Sequence, residues 1–283
     1  MFLETDPAAF DLVTVQSGDR SLRSRECGET FHPVVGPMNE AVALHVRQQR
    51  LVERATASGG KFVIWDVGLG AAANAIAAIE ALAGRVNADA GVEIHSFDVT
   101  DAALRFALTH AVDLGYLVPH VASVEALLAE GEAVESNIRW RFHSGDFRDT
   151  MAAAPAPHAV LYDPYSPQSN PGMWTLDHFT RLRACLAPDA PCLLTNYTRS
   201  TAVRVTLLLA GFFVGHGHAT GEKDQTTIAS NDLAMLEEPL DTGWLKRVDR
   251  STNAAPLRST SAGPAPISPE DWARLSAHAQ FTG

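Results

Sequence analysis

The chain has 283 residues, of which 46% are hydrophobic and 19% charged, a composition typical of a globular protein and not of a disordered or fibrous one. Its formal net charge of -11 opposes nonspecific attraction to a phosphate backbone, so any contact with nucleic acid has to be local. Three cysteines without Cys-x-x-Cys spacing indicate neither a disulfide framework nor a zinc site, and we expect no metal.

The N-terminal part predicts a hairpin followed by a helix. Apolar and polar residues alternate over 10–15 and 22–26 around Ser17-Gly18-Asp19, which is the pattern of two antiparallel strands and a turn. A helical pattern then extends over 38–57. We predict that residues 1–58 pack as a hairpin and helix on a core domain.

From residue 59 to 236, short β-branched runs alternate with longer helical patterns. This alternation is typical of parallel strands joined by crossover helices. The predicted strands are 61–67, 92–98, 138–143, 158–163 and 190–196, and the predicted helices are 72–84, 101–114, 174–186 and 200–210. Two further strands at 211–214 and 226–229 have no helix between them and should be antiparallel. We therefore predict an α/β, Rossmann-like fold with a mostly parallel seven-stranded sheet and an antiparallel last strand.

Two segments stand apart from this alternation. The connection over 115–136 is long, and its pattern at 121–128 predicts an inserted helix. Residues 251–269 are dominated by Ser, Thr, Ala, Gly and Pro, so they offer little apolar surface to offset the entropy of ordering. We expect 237–283 to be a largely flexible extension, with a short helix from 269 to 275.

A glycine-rich turn links the first strand of the core to its helix. It contains Asp66, Gly68 and Gly70, with Asn74 at the helix start. Such a turn lets a ligand approach the backbone at the carboxyl edge of a sheet. A dinucleotide fingerprint needs a third glycine where this chain has Ala73, so the spacing fits S-adenosyl-L-methionine better. Glycines after a strand are also ordinary turn residues.

Two further acidic residues follow neighbouring strands. Asp98 ends the second strand of the core, where its carboxylate can accept hydrogen bonds from both ribose hydroxyls of an adenosine. Asp146 ends the third strand and can accept one from the adenine amino group. The alternative for each aspartate is a helix cap. Together with the glycine turn, the two acids favour binding of an adenosyl cofactor.

The fourth strand of the core leads into the segment that we expect to carry the chemistry. Asp163 is followed by Pro164, Tyr165 and Pro167, and prolines on both sides of the aromatic residue restrict the backbone. A rigid loop can orient a substrate amine toward a sulfonium methyl, and Asp163 can take up the proton. Asp163 and Tyr165 are thus the candidate catalytic residues, although a proline-rich surface loop is the simpler interpretation.

In sequence order, several motifs together resemble the methyltransferase part of the MnmC family. They are 21–24, 29–36 with Glu40, the glycine turn with Asn74, 96–98, 145–146 and 163–175, and they lie within residues 10–235. The resemblance implies a class I S-adenosyl-L-methionine-dependent methyltransferase that acts on 5-aminomethyl-2-thiouridine at the tRNA wobble position. It also implies that Phe31, His32 and Glu40 help to cover the cofactor, near Asp66, Gly68, Gly70, Asn74, Asp98, Asp146 and Asp163.

The chain also departs from this family. Ala72 stands where the family has glycine in the turn, and Pro164 follows Asp163 where the family also has glycine. The FAD-dependent oxidase half of the bifunctional enzymes is not found in the sequence, so FAD is not expected. Two other hypotheses therefore stay open. One is methylation of a small-molecule or peptide amine, and the other is a methyltransferase fold that binds without catalysing.

Overall fold

A computed structural model describes residues 6–86, 91–220, 224–261 and 263–282. Its centre is an eight-stranded sheet in the order β5-β6-β4-β3-β7-β8-β10-β9, and a separate hairpin is formed by β1 and β2. The strands are β1 Phe10–Thr14, β2 Arg20–Ser24, β3 Phe62–Val67, β4 Val92–Asp98, β5 Glu132–Glu135, β6 Ile138–Ser144, β7 Ala159–Tyr162, β8 Leu193–Asn196, β9 Phe213–Gly217 and β10 Thr226–Ser230.

The helices cover both faces of the sheet. They are α1 Pro37–Ala41, α2 Leu51–Ala57, α3 Ala73–Leu82, α4 Ala102–Thr109, α5 Ala111–Leu114, α6 Val121–Glu130, α7 Phe147–Thr150, α8 Leu176–Cys185, α9 Thr201–Leu209, α10 Thr242–Val248, α11 Pro269–Ser276 and α12 Ala279–Thr282. In the described residues no helix is long and apolar enough to cross a membrane.

The predicted parallel sheet is confirmed. Strands β6, β4, β3, β7 and β8 pair in parallel, while β10 is antiparallel to both of its neighbours, β8 and β9. Because β3 is buried on both faces, its side chains divide between two apolar cores: Ile64 packs in one and Trp65 in the other. All carboxyl ends of the five parallel strands meet at one edge of the sheet, which is where ligands bind in such folds.

The sheet has one strand more than predicted. β5 pairs antiparallel with β6 at the edge of the sheet, and residues 132–135 had been assigned to a long connection. The turn between these strands places Ser136 and Asn137 at φ 49° and 66°. Positive φ at both central residues is the tight-hairpin geometry for which Asn-Gly is the usual signal, and this chain has no glycine there. The inserted helix of this region is confirmed as α6.

The helix predicted over 38–57 is interrupted. After α1 the chain forms a π-helical segment, Val42–Arg47, and α2 begins only at Leu51. Arg50 between them has φ 50° and ψ 46°, so the helix cannot run continuously. The π-helical segment buries His45 against the sheet, where its Nδ1 lies 2.8 Å from Thr195 Oγ1.

The C-terminal segment differs from the largely flexible extension that we predicted. Ala254 and Leu275 are fully buried in the same core as Trp174. The backbone is also held, because Leu176 N donates to Leu257 O at 2.6 Å and Leu257 N donates to Thr206 Oγ1 at 2.9 Å. A few widely spaced apolar residues and backbone hydrogen bonds thus anchor a segment whose overall composition is poor in apolar side chains. The boundaries 1–58, 59–236 and 237–283 stay predictions.

Candidate active site

The glycine turn after β3 packs directly against the loop after β7. A Cβ built on Gly68, which has φ 93°, would lie 2.7 Å from the backbone oxygen of Asp163, so glycine is required there by both conformation and space. Gly70 has φ 48° and donates its N–H to Asp98 Oδ2 at 3.1 Å. These contacts bring the carboxyl ends of β3, β4 and β7 together.

Asp163 is held by the first turn of α3. Asn74 Nδ2 donates to Asp163 Oδ2 at 2.9 Å, and His32 Nε2 lies 3.9 Å from the same oxygen. His32 Nδ1 in turn lies 3.7 Å from Glu40 Oε2, so the imidazole stands between two carboxylates. All three side chains of this ionisable row are only 12% to 15% exposed. The row orients the carboxylate that we predicted to be catalytic.

The charges of this row alter the protonation of His32. Burial by itself lowers the pKa of His32, but the nearby carboxylate of Glu40 and the charges of Asp163 and Asp66 raise it above its ordinary value. The backbone of His32 is also unusual, with φ 47°. A residue other than glycine rarely adopts that backbone conformation unless its surroundings enforce it.

Asp66 lies beneath the glycine turn and is fully buried. Burial, the largest effect, raises its pKa to about 7, and the charges of Asp163 and Asp98 act in the same direction. Its Oδ2 accepts a hydrogen bond from Ser96 Oγ at 2.7 Å. Its Oδ1, like the Oδ1 of Asn74, has no hydrogen-bond partner among the residues that the structure describes.

Phe31 and Tyr165 close one side of this group. Their rings pack edge to face with centroids 5.8 Å apart, and a Cβ on Gly70 would lie 3.1 Å from the Phe31 ring. The indole Nε1 of Trp174 donates to the backbone oxygen of Tyr165 at 2.9 Å, and Tyr197 Oη donates to that of Pro164 at 3.0 Å. The segment after β7 is therefore fixed in place and packs against other parts of the site, unlike a simple surface loop.

Asp146 is next to this group but is engaged differently. Gly145 N donates to Asp98 O at 2.8 Å, so the ends of β4 and β6 are adjacent. The Asp146 side chain caps α7, and both of its oxygens contact the guanidinium of Arg148, which lowers the pKa of Asp146. The helix-cap interpretation thus describes this residue in the structure, and its contact with adenine stays a prediction.

Three contributing residues were not assigned a role from the sequence. Arg148 follows Asp146 by two positions, so its pairing could have been proposed from local spacing. Tyr116 donates its hydroxyl to the backbone oxygen of Ala71 at 2.9 Å, and Glu29 accepts hydrogen bonds from the loop after β7. These last two contacts join residues 45 and 137 positions apart, and no local pattern indicates them.

Comparison with known proteins agrees with this architecture. A family model described as "S-adenosyl-L-methionine-dependent methyltransferase" matches residues 116–232. The crystal structure of MnmC2 from Aquifex aeolicus superposes with a TM-score of 0.69 at 22% identity, covering 94% of this chain and 83% of that one. The fold is that of class I S-adenosyl-L-methionine-dependent methyltransferases, and the family model that matches residues 116–232 carries the same description.

The resemblance to the methyltransferase part of MnmC is confirmed as well. The chain is 29% identical to the tRNA 5-methylaminomethyl-2-thiouridine biosynthesis bifunctional protein MnmC of Ectopseudomonas mendocina, over 85% of this chain and 37% of that protein. It is 26% identical to the protein of the same description from Pseudomonas fluorescens Pf0-1, over 71% and 32% respectively. The chain thus spans about a third of the length of these curated relatives.

Proposed function

We propose that the protein methylates the 5-aminomethyl group of a modified wobble uridine in tRNA, using S-adenosyl-L-methionine. The observation that carries the proposal is the position of Asp163, which is oriented by Asn74 and His32 beside the glycine turn. The curated relatives support the choice of acceptor, because their description concerns biosynthesis of 5-methylaminomethyl-2-thiouridine in tRNA. A tRNA substrate would also place the protein in the cytoplasm.

The residues of the site fit a cationic cofactor. Asp98, Asp163 and Glu40 supply three carboxylates around one edge of the sheet, with Asp66 buried beneath them, and a sulfonium with an ammonium group is attracted by such a set. The buried Oδ1 atoms of Asp66 and Asn74 lack partners among the described residues, so they have hydrogen-bonding capacity for a ligand. S-adenosyl-L-methionine, when bound, supplies an electrophilic methyl group.

Each residue would have a distinct task. Asp98 would accept hydrogen bonds from the ribose hydroxyls, and the backbone at Gly68 and Gly70 would leave room for the adenosyl group. Asp163 would hold the acceptor amine in line with the methyl group and receive its proton. His32 and Asn74 hold one oxygen of Asp163 in place, which limits the orientations that the carboxylate can adopt.

The test uses tRNA from cells that accumulate the unmethylated aminomethyl nucleoside. Incubation with the protein and methyl-labelled cofactor should place label on the wobble base, while fully modified tRNA should accept none. Asp163→Asn should reduce transfer by about 10²-fold or more, the usual range for loss of a positioned acid or base, and should retain binding of S-adenosylhomocysteine. Absence of transfer to tRNA at saturating cofactor would refute the tRNA assignment. Transfer to a free amine under the same conditions would show that the methyl acceptor is a small molecule.

A further inference from the structure

Glu29 connects the N-terminal hairpin region to the loop that follows β7. Its Oε1 accepts hydrogen bonds from the hydroxyls of Ser166, at 2.5 Å, and of Ser169. Its Oε2 accepts a third from the backbone N–H of Ser166 at 3.2 Å. One carboxylate thus holds both ends of a turn that is also closed by Ser169 N donating to Ser166 O at 3.0 Å.

The residues that follow Glu29 reach the rest of the site. Phe31 packs its ring against Tyr165 and over Gly70, and His32 faces Asp163. Residues 29–32 therefore contact the loop after β7 at three points along its length. The backbone of this segment is independently fixed, because Ser24 N donates to Glu29 O at 2.9 Å and Phe31 N donates to Leu22 O at 2.8 Å.

We propose that Glu29 is a positioning residue for methyl transfer, acting through Ser166 and Ser169 to hold Asp163 and Tyr165 in the geometry that receives the acceptor amine. This inference rests on the proposed function. Glu29 lies 137 positions from Ser166 in the sequence, and its side chain contacts neither the glycine turn nor Asp98 in the described hydrogen bonds. Its effect should therefore fall on the acceptor and not on the cofactor.

The chemistry explains why this position needs a carboxylate. Hydrogen bonds to an ionised acceptor are about twice as strong as neutral ones, and a carboxylate can accept all three at once. A glutamine has a single oxygen, and its NH2 group would face either a serine hydroxyl or the Ser166 N–H. Glu29→Gln thus preserves the volume of the side chain while it removes the charge that strengthens all three bonds and breaks or reverses at least one of them.

The experiment compares Glu29→Gln with Glu26→Gln, an exposed glutamate of the same segment. We expect Glu29→Gln to lower kcat/KM for the acceptor by about 10- to 100-fold, because a displacement of about 1 Å in a reacting group costs on the order of 10²-fold. The affinity for S-adenosylhomocysteine should change by less than a factor of about 3, since none of the hydrogen bonds described for Glu29 reaches a residue assigned to the cofactor. Glu26→Gln should behave as the unaltered protein.

A double-mutant cycle separates positioning from general stabilisation. In a background carrying Ser166→Ala and Ser169→Ala, the further change Glu29→Gln should cost less than about threefold, because the hydroxyl partners are already absent. The proposal is overturned if Glu29→Gln alone transfers methyl groups at the unaltered rate. It is also overturned if Glu29→Gln lowers kcat/KM by the same factor in the protein that carries Ser166→Ala and Ser169→Ala.

A second measurement needs no acceptor and stays valid if the tRNA assignment fails. Glu29→Gln should raise amide hydrogen exchange at Ser166, Ser169 and Asn170, whose N–H groups are held within this turn. Exchange in β3 and β4 should not change. Unaltered exchange in the turn would refute the role of Glu29, whatever the methyl acceptor is.

Discussion

Ala72 offers a direct test of the strain that the structure places in the glycine turn. It has φ 63° and ψ 16°, immediately before α3, and it is fully buried. The left-handed conformation crowds a Cβ against the following carbonyl oxygen, at a cost of about 1–2 kcal/mol. Changing Ala72 to glycine removes that crowding. The same substitution at Ala77 inside α3, where the side chain is 1% exposed, provides the matched control.

The two substitutions should differ clearly in the free energy of unfolding. Ala77→Gly loses about 1 kcal/mol of helix propensity and about 0.8 kcal/mol of methyl burial, which predicts a destabilisation of about 2 kcal/mol. Ala72→Gly loses the same methyl burial and about 0.7 kcal/mol through the more flexible unfolded chain, but it recovers about 1.5 kcal/mol of strain. We therefore expect the stability of Ala72→Gly to lie within about 0.5 kcal/mol of the unaltered protein.

Urea denaturation at constant pH measures both values, provided that the slopes of the two transitions agree. A stability loss for Ala72→Gly equal to that for Ala77→Gly would refute the assignment of strain to residue 72. The Ala72→Gly protein should also bind S-adenosylhomocysteine at least as tightly as the unaltered protein, because a methyl group is removed from the turn that we propose to hold the cofactor. Weaker binding would show that the methyl group contributes to the site.

Two further predictions concern groups beneath and beside the glycine turn. Burial raises the pKa of Asp66 to about 7, whereas the unfolded chain releases this proton near the ordinary pKa of 3.8. Asp66 should therefore make the free energy of unfolding fall as pH rises between about 4 and 7, and the fall should be smaller in Asp66→Asn. Equal pH slopes for the two proteins in urea denaturation would refute this. Tyr116→Phe removes the hydrogen bond to Ala71 O and should destabilise the protein by about 1 kcal/mol, whereas an unchanged denaturation midpoint would show that water replaces it.

The sequence predicted the central sheet well because its elements are specified locally. Each parallel strand is a short run rich in apolar residues, and helices such as α8 begin at a capping residue, here Thr175, whose side chain accepts from His178 N. The edge strand β5 was missed because Ser136 and Asn137 adopt a turn that glycine normally indicates. The interruption near Arg50 was missed because helical periodicity continues across it.

Only part of the site could be predicted from the sequence, and that part follows from the topology of the sheet. Residues at the ends of parallel strands converge whenever the sheet forms, so the meeting of Gly68, Gly70 and Asp98 follows from topology. The role of Glu29 does not, because its contact with Ser166 depends on how the N-terminal hairpin packs on the core. The pairing of Asp146 with Arg148 also competes with the ligand contact that the strand position implied.

Backbone strain gives an independent indication of where the function lies. Five non-glycine residues in the described chain have positive φ. Ser136 and Asn137 are explained by a tight hairpin turn, and Arg50 by the change from π-helix to α2. The other two, His32 and Ala72, lie in the segment that faces Asp163 and in the glycine turn. Such conformations cost stability and persist only where the surroundings enforce them, and two of the five thus lie beside the buried carboxylates of the candidate active site.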